Sequence, residues 1–108
     1  MPYSVKTISV FEKQFKRLYR KYPSLKADVL QLIVQLRANP EVGSYLGNQC
    51  YKIRISIKSK SKGKLGGARI ITHIVVTEQT VYLLSIYDKS EKADLSANEL
   101  KLLLQEIE

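Results

Sequence analysis

The hydrophobic positions of this chain change from a helical to a strand period at Gln49. From Phe11 to Leu36 they recur every three or four residues, and in the strands read between Gln49 and Tyr87 the pattern shortens to that of β-structure. Before that, Tyr3 to Ile8 alternates weakly and is rich in β-formers, which predicts a short first strand. Ser9-Val-Phe-Glu12 has the Ser-x-x-Glu spacing of a capping box, and Phe11, Phe15, Leu18, Tyr19 and Tyr22 then fall at helical spacing. Tyr22-Pro23 ends this helix, because proline disfavours helical geometry in the residue before it. Ser24 is placed to cap a second helix whose buried stripe is Leu25, Val29, Leu32, Ile33 and Leu36, stopped by Ala38-Asn39-Pro40. Glu41 to Asn48, with Gly43 and Gly47, reads as a loop.

In the alternating half, Tyr51, Ile53, Ile55 and Ile57 face one way while Lys52, Arg54, Ser56 and Lys58 face the other. A Ser/Lys/Gly run to Gly67 connects this strand to a second at Ala68 to Val76, and a tight turn at Thr77 to Thr80 leads to a third at Val81 to Tyr87. Ser96 and Glu99 repeat the capping-box spacing, Leu95 and Leu100 are placed as a hydrophobic staple, and a last helix is expected from about Ala97 to Ile107. Its stripe of Leu100, Leu103, Leu104 and Ile107 needs a surface to cover. The sum is an α+β domain of order β-α-α-β-β-β-(α), an antiparallel sheet with helices packed on one face. At 108 residues the chain is one domain, 1–108, with a single core.

Charge sharpens this picture. The chain carries a net +8, and seven basic residues (Lys52, Arg54, Lys58, Lys60, Lys62, Lys64, Arg69) stand between Val42 and Thr77 with no acid among them. A cationic surface so concentrated selects a polyanionic partner, because neutralised phosphates release counterions. Lys13, Lys16, Arg17, Arg20 and Lys21 read as the solvated face of the first helix. The single Cys50 excludes an internal disulfide, and one cysteine with one histidine, His73, gives no ordinary metal set. Cys50 reads as a small apolar strand residue and His73 as a structural one. The start of the sequence lacks the apolar core of a signal peptide, and no stretch reaches the roughly 18 apolar residues of a membrane span. A cytoplasmic protein with no membrane partner is the expectation.

YKIR at Tyr51 to Arg54, GGAR at Gly66 to Arg69 and IYDKSE at Ile86 to Glu91, taken in this order after a strand and two helices, give the whole chain a resemblance to the RelE/HigB toxins of bacterial type II toxin-antitoxin systems. The GGAR element and lysine-rich loop bring it nearer the HigB-like branch. The resemblance implies cleavage of mRNA on the ribosome, inhibition of translation, and neutralisation by a cognate antitoxin protein, with no metal and no cofactor. ParE proteins are similar in fold yet act on DNA gyrase without nuclease activity, so that alternative stays open, as does a noncatalytic RNA-binding module.

Carried over residue by residue, the resemblance assigns Lys52 and Arg54 to the active site, Arg69 to a phosphate, and Lys89 to the basic position after the last strand. RelE proteins commonly have a tyrosine where this chain has Leu95, so Tyr87 stands in, as a stacking platform or a proton donor. Metal-free RNA cleavage needs a base at the 2′-hydroxyl, positive charge around the phosphate and an acid for the leaving oxygen. Arginine stays protonated, which leaves charge stabilisation to Arg54 and Arg69. Lys52 becomes the candidate base, on condition that crowded cations lower its pKa, and Lys89 the candidate acid or charge stabiliser. Lys58, Lys60, Lys62 and Lys64 are the expected ribosome-binding loop. The acidic last helix, with Asp94, Glu99, Glu106 and Glu108 in and around it, is expected to pack over the sheet or to be displaced by the antitoxin.

Overall fold

The computed structural model describes residues 2–60 and 67–107. Its elements are β1 (Ser4–Thr7), α1 (Ser9–Lys21), α2 (Leu25–Ala38), β2 (Ser44–Gly47), β3 (Cys50–Ile55), β4 (Ala68–Val75), a single 3-10 turn (Val76–Glu78), β5 (Thr80–Asp88) and α3 (Ala97–Gln105). The five strands form one sheet in the order β1-β5-β4-β3-β2. The expected antiparallel meander is β3-β4-β5, and β1 joins along the far side of β5, running parallel to it.

Register follows from burial. Ile53, Ile70 and Ile86 are paired across β3, β4 and β5 and are all but inaccessible. Each contributes on the order of 1.5–3 kcal/mol by leaving water. The α1–α2 hairpin covers this face, with Leu32 beside Ile53 and with Phe11 and Val29 beside Leu83. Because side chains alternate, the neighbours of these isoleucines project from the opposite face. There α3 lies against the sheet, its Leu100 lining a small cavity with Lys52, Ile71 and Leu46.

Two expected helix starts form differently. Ile8, not Ser9, is the N-cap of α1, and it makes no side-chain cap. Ile8 is buried and its N–H donates to the Leu83 carbonyl, so the chain enters α1 already anchored to β5, and Glu12 accepts from Thr7 Oγ1 instead. Ser24 does stand at the N-cap of α2, but in helical geometry. Its hydroxyl donates to Asp28 Oδ2 at 2.8 Å and accepts from Ser59 N at 2.8 Å, so it ties α2 to the segment after β3. The capping box of α3 forms as predicted, with Glu99 N donating to Ser96 Oγ and Ser96 N to Glu99 Oε1.

The segment read as a loop after α2 holds an edge strand, β2, hairpinned onto β3 through Asn48 and Gln49, both at positive φ as a tight two-residue turn requires. Tyr45 and Leu46 are largely exposed, so no burial pattern announced it; pairing with β3 makes it a strand. Gly43 is indispensable there. At φ +99° a Cβ would sit 2.4 Å from the Lys52 carbonyl oxygen.

Asp88, the last residue of β5, is fully buried. Its carboxylate accepts from Tyr22 at 2.8 Å, from Lys60 Nζ at 2.7 Å, and from the N–H and hydroxyl of Ser90 at 2.9 and 2.7 Å. Burial alone pushes its pKa up, but the bonds from Lys60, Ser90 and Tyr22 outweigh it and hold the group well below the usual carboxylate range. One side chain thus joins the end of α1, the segment after β3 and the turn after β5. Removing the carboxylate by Asp88→Ala leaves Lys60 buried without its counterion and is expected to cost about 3–5 kcal/mol in urea unfolding. A carboxylate depressed in the folded state stabilises fully above its unfolded pKa of about 3.9, and that stability is lost as pH falls below it. Asp88→Asn, which keeps an acceptor, should therefore flatten the acid-induced fall in stability below about pH 4, measured by urea melts at stepped pH; an unchanged slope would assign that fall to other groups.

Candidate functional site

The face opposite the helical hairpin gathers the predicted cations. Arg54 of β3, Arg69 of β4 and Tyr87 of β5 are successive partners across the sheet and form one row. Adjacent strands are about 4.8 Å apart, so the row spans about 10 Å. Lys52, Ile71 and Ser85 form the next row. The register thus places four of the five expected site residues, Lys52, Arg54, Arg69 and Tyr87, on one surface.

Their surroundings differ. Arg54 is exposed and makes no ion pair among the described residues, whereas Arg69 is only 6% exposed and donates from Nη1 to the Ala68 carbonyl at 3.3 Å. Tyr87 is 5% exposed, so its ring has no free face for stacking on a base. Burial first, then the nearby Asp94 carboxylate, pushes its phenol up to about 12, against a smaller opposing influence of Arg69.

Asp94, read from the sequence only as one of the acids around the last helix, stands at the site. Its Oδ1 accepts from Lys52 Nζ at 3.2 Å, from the Tyr87 hydroxyl at 3.4 Å and from the Leu95 N–H at 2.8 Å. The Leu95 N–H, then Lys52, hold the carboxylate below its ordinary pKa. The crowd of cations expected around Lys52 is therefore not what its ammonium meets: its partner is a carboxylate. The signal was present only as an acid six residues beyond the last strand, without any spacing to tie it to Lys52.

Lys89 falls just past β5, and its Nζ donates to the Ala93 carbonyl at 2.9 Å, bracing the segment that carries Asp94. Glu91 in that segment accepts from Arg17 at 2.9 Å and Lys21 at 3.2 Å, which gives two of the α1 cations a partner.

Of the four loop lysines, Lys58 is exposed, while Lys62 and Lys64 lie outside the described residues. Lys60 departs from the expectation of a solvated loop lysine. Its side chain is 14% exposed, its Nζ is paired with buried Asp88, and it stands 5.7 Å from the centre of the Tyr22 ring. It serves the fold because Asp88 requires a counterion.

Cys50 and His73 are partners two rows along the sheet from the arginines, with Sγ and Nδ1 3.4 Å apart. Burial pushes the Cys50 thiol up to about 11, which suits a packing residue and not a nucleophile. Among the described residues no group of His, Cys, Asp and Glu is arranged to hold a metal ion, and no helix is long and apolar enough to cross a membrane.

A carboxylate beside a phenol disfavours the phenolate. Asp94→Asn should therefore bring the Tyr87 pKa down from about 12 toward the ordinary value near 10, read as the ultraviolet titration difference between each protein and its Tyr87→Phe counterpart.

Solved structures of similar fold accompany this geometry. The free arginine-to-alanine double mutant of the E. coli toxin RelE matches with a TM-score of 0.64 at 15% identity, over 98% of this chain and 94% of that one. The isolated E. coli RelE toxin gives 0.60 at 15% identity, over 95% and 97%. The Mycobacterium tuberculosis toxin-antitoxin complex RelBE2 gives 0.62 at 21% identity, over 87% of this chain and 95% of that one. The family model for the RelE toxin of the RelE/RelB toxin-antitoxin system matches residues 8–107. With the fold in agreement and nearly the whole chain matched, this protein belongs to the RelE toxin family.

Proposed function

We propose that this chain is a metal-independent endoribonuclease that cuts mRNA on the ribosome, stops translation and is silenced by a cognate antitoxin. The observation that carries the reading is the alignment of Arg54, Arg69 and Tyr87 in one row with Lys52 and Asp94 alongside, in a chain of the RelE family. The likeness to HigB proteins in the GGAR element and lysine-rich segment fits the same reading. The M. tuberculosis relative is a toxin-antitoxin complex, which supports an antitoxin partner here.

In this mechanism the scissile phosphate lies over the arginine row, where two guanidinium groups offset the charge that builds as the 2′-oxygen attacks. The Asp94 carboxylate is assigned the proton of the 2′-hydroxyl; Lys52, whose ammonium has no lone pair to accept it, is assigned the charge that develops on the phosphate. In the free protein Lys52 is half of an ion pair with Asp94, so an entering phosphodiester must first part that pair. Tyr87, protonated throughout the neutral range, is assigned the proton delivered to the departing 5′-oxygen. Lys89 acts at one remove, by fixing the segment that bears Asp94.

Arg54 is exposed, so Arg54→Ala should leave the thermal midpoint unchanged while lowering single-turnover cleavage of mRNA on programmed ribosomes by about 10²-fold. Intact mRNA after incubation with antitoxin-free wild type would overturn the reading. Expressed in cells, the protein should halt amino-acid incorporation before thymidine incorporation; the reverse order would point to the gyrase-directed alternative.

A further inference from the structure

The outer edge of β5 has a different neighbour along each half. β1 pairs with it from Thr80 to Leu83 and goes no further. Past that point β5 runs on through Ser85, Ile86, Tyr87 and Asp88, all buried, with α1 beside it in place of a strand. The Lys89 N–H donates to the Gly67 carbonyl, on the β4 side, so by alternation the main-chain groups of Tyr87 also face β4 and those of Ile86 face outward. There the Ile86 N–H donates to Gln14 Oε1 at 2.9 Å, and the Ser85 hydroxyl donates to the same oxygen at 3.0 Å. One carboxamide oxygen of α1 takes the position of the carbonyl that a further strand would supply.

Gln14 lies on a stripe. Arg17 and Lys21 follow it at intervals of three and four residues along the same side of α1, and both bind Glu91. The stripe therefore grips the chain twice, at Ile86 just before Tyr87 and at Glu91 three residues before Asp94. Tyr87 and Asp94 meet at the site with hydroxyl and Oδ1 3.4 Å apart, already long for a hydrogen bond, so a small displacement of either parts them. The Glu91 pairs are exposed and weakened by salt, whereas Ile86 is 1% exposed and water has little access to its N–H. The placement of Tyr87 thus falls to Gln14.

We propose that Gln14 is a positioning residue of the reaction, which replaces a strand beside β5 and so holds Tyr87 against Asp94, bringing both proton-handling groups to one phosphodiester. The catalytic part of this inference rests on the ribonuclease reading; the placement of Tyr87 can be measured without it. Gln14 acts through Ile86 and takes no part in proton transfer, since a carboxamide neither gives nor takes a proton near neutral pH. Without the acceptor the buried Ile86 N–H has no partner, and the end of β5 loosens toward water. Tyr87 then loses both the burial and the nearby carboxylate that push its phenol up to about 12.

The test compares wild type with Gln14→Leu, which removes the acceptor, and Gln14→Glu, which keeps it. Gln14→Asn, shorter by one methylene, serves if the leucine variant does not fold. Amide hydrogen exchange followed by NMR should be faster at Ile86 by about tenfold in Gln14→Leu, with Val81 and Leu83 beside β1 unchanged. Ultraviolet titration against a Tyr87→Phe counterpart should put the Tyr87 phenol nearer the ordinary 10 in Gln14→Leu and return it to about 12 in Gln14→Glu. Single-turnover cleavage on programmed ribosomes should fall about tenfold in Gln14→Leu and recover in Gln14→Glu, at an unchanged half-saturating ribosome concentration. A phenol that titrates as in wild type when the acceptor is removed or drawn back overturns the placement, even where the variant melts earlier. A moved phenol with cleavage at the wild-type rate overturns the role in the reaction. Intact mRNA with wild type, together with a moved phenol in the variant, removes the nuclease reading and keeps the placement of Tyr87 by Gln14.

Discussion

The register of three buried isoleucines governs what this surface can do. Ile53, Ile70 and Ile86 meet across the central strands under the helical hairpin, and a slip of one residue in any strand would take its isoleucine out from under that hairpin to the other face of the sheet. The same slip would turn Arg54, Arg69 or Tyr87 into the core. The cationic surface is thus set by the hydrophobic face it does not share: packing on one side of the sheet fixes, by pleat alone, the cations on the other.

Electrostatics does the remaining work, along the segment that follows β5. Three carboxylates at three-residue spacing hold it to three parts of the molecule. Asp88 takes Tyr22 and Lys60, Glu91 takes Arg17 and Lys21, and Asp94 takes Lys52 and Tyr87. Their depths differ and so do their consequences. The Asp88 cluster is buried and specifies structure, whereas the Glu91 pairs and the Asp94 pair are exposed and weakened by salt screening, with Asp94 the most exposed of the three carboxylates.

The α1–α2 hairpin, the meander and the capped last helix were legible because each rests on a local period or a local cap, as with Leu25, Val29, Leu32 and Leu36 on one stripe of α2. The row of Arg54 and Arg69 was legible only by parity, since which residues stand opposite one another depends on strands joined by a long connection. Asp94 and the true place of Lys60 were not legible at all. Each is defined by a partner 42 or 28 residues away, and no composition or spacing encodes such a contact. β2 escaped for a related reason: its residues are exposed, and only the edge of β3 makes a strand of them.

The two ends of the lysine-rich connection meet at one dipeptide. Before it, Lys60 is bound to the Asp88 carboxylate; after it, the Gly67 carbonyl accepts from the Lys89 N–H. The span to be bridged is therefore fixed by the framework and is indifferent to what bridges it. Doubling a flexible connection costs only about 0.6 kcal/mol in closure entropy. The length and charge of this connection can therefore vary without disturbing the register of β3, β4 and β5.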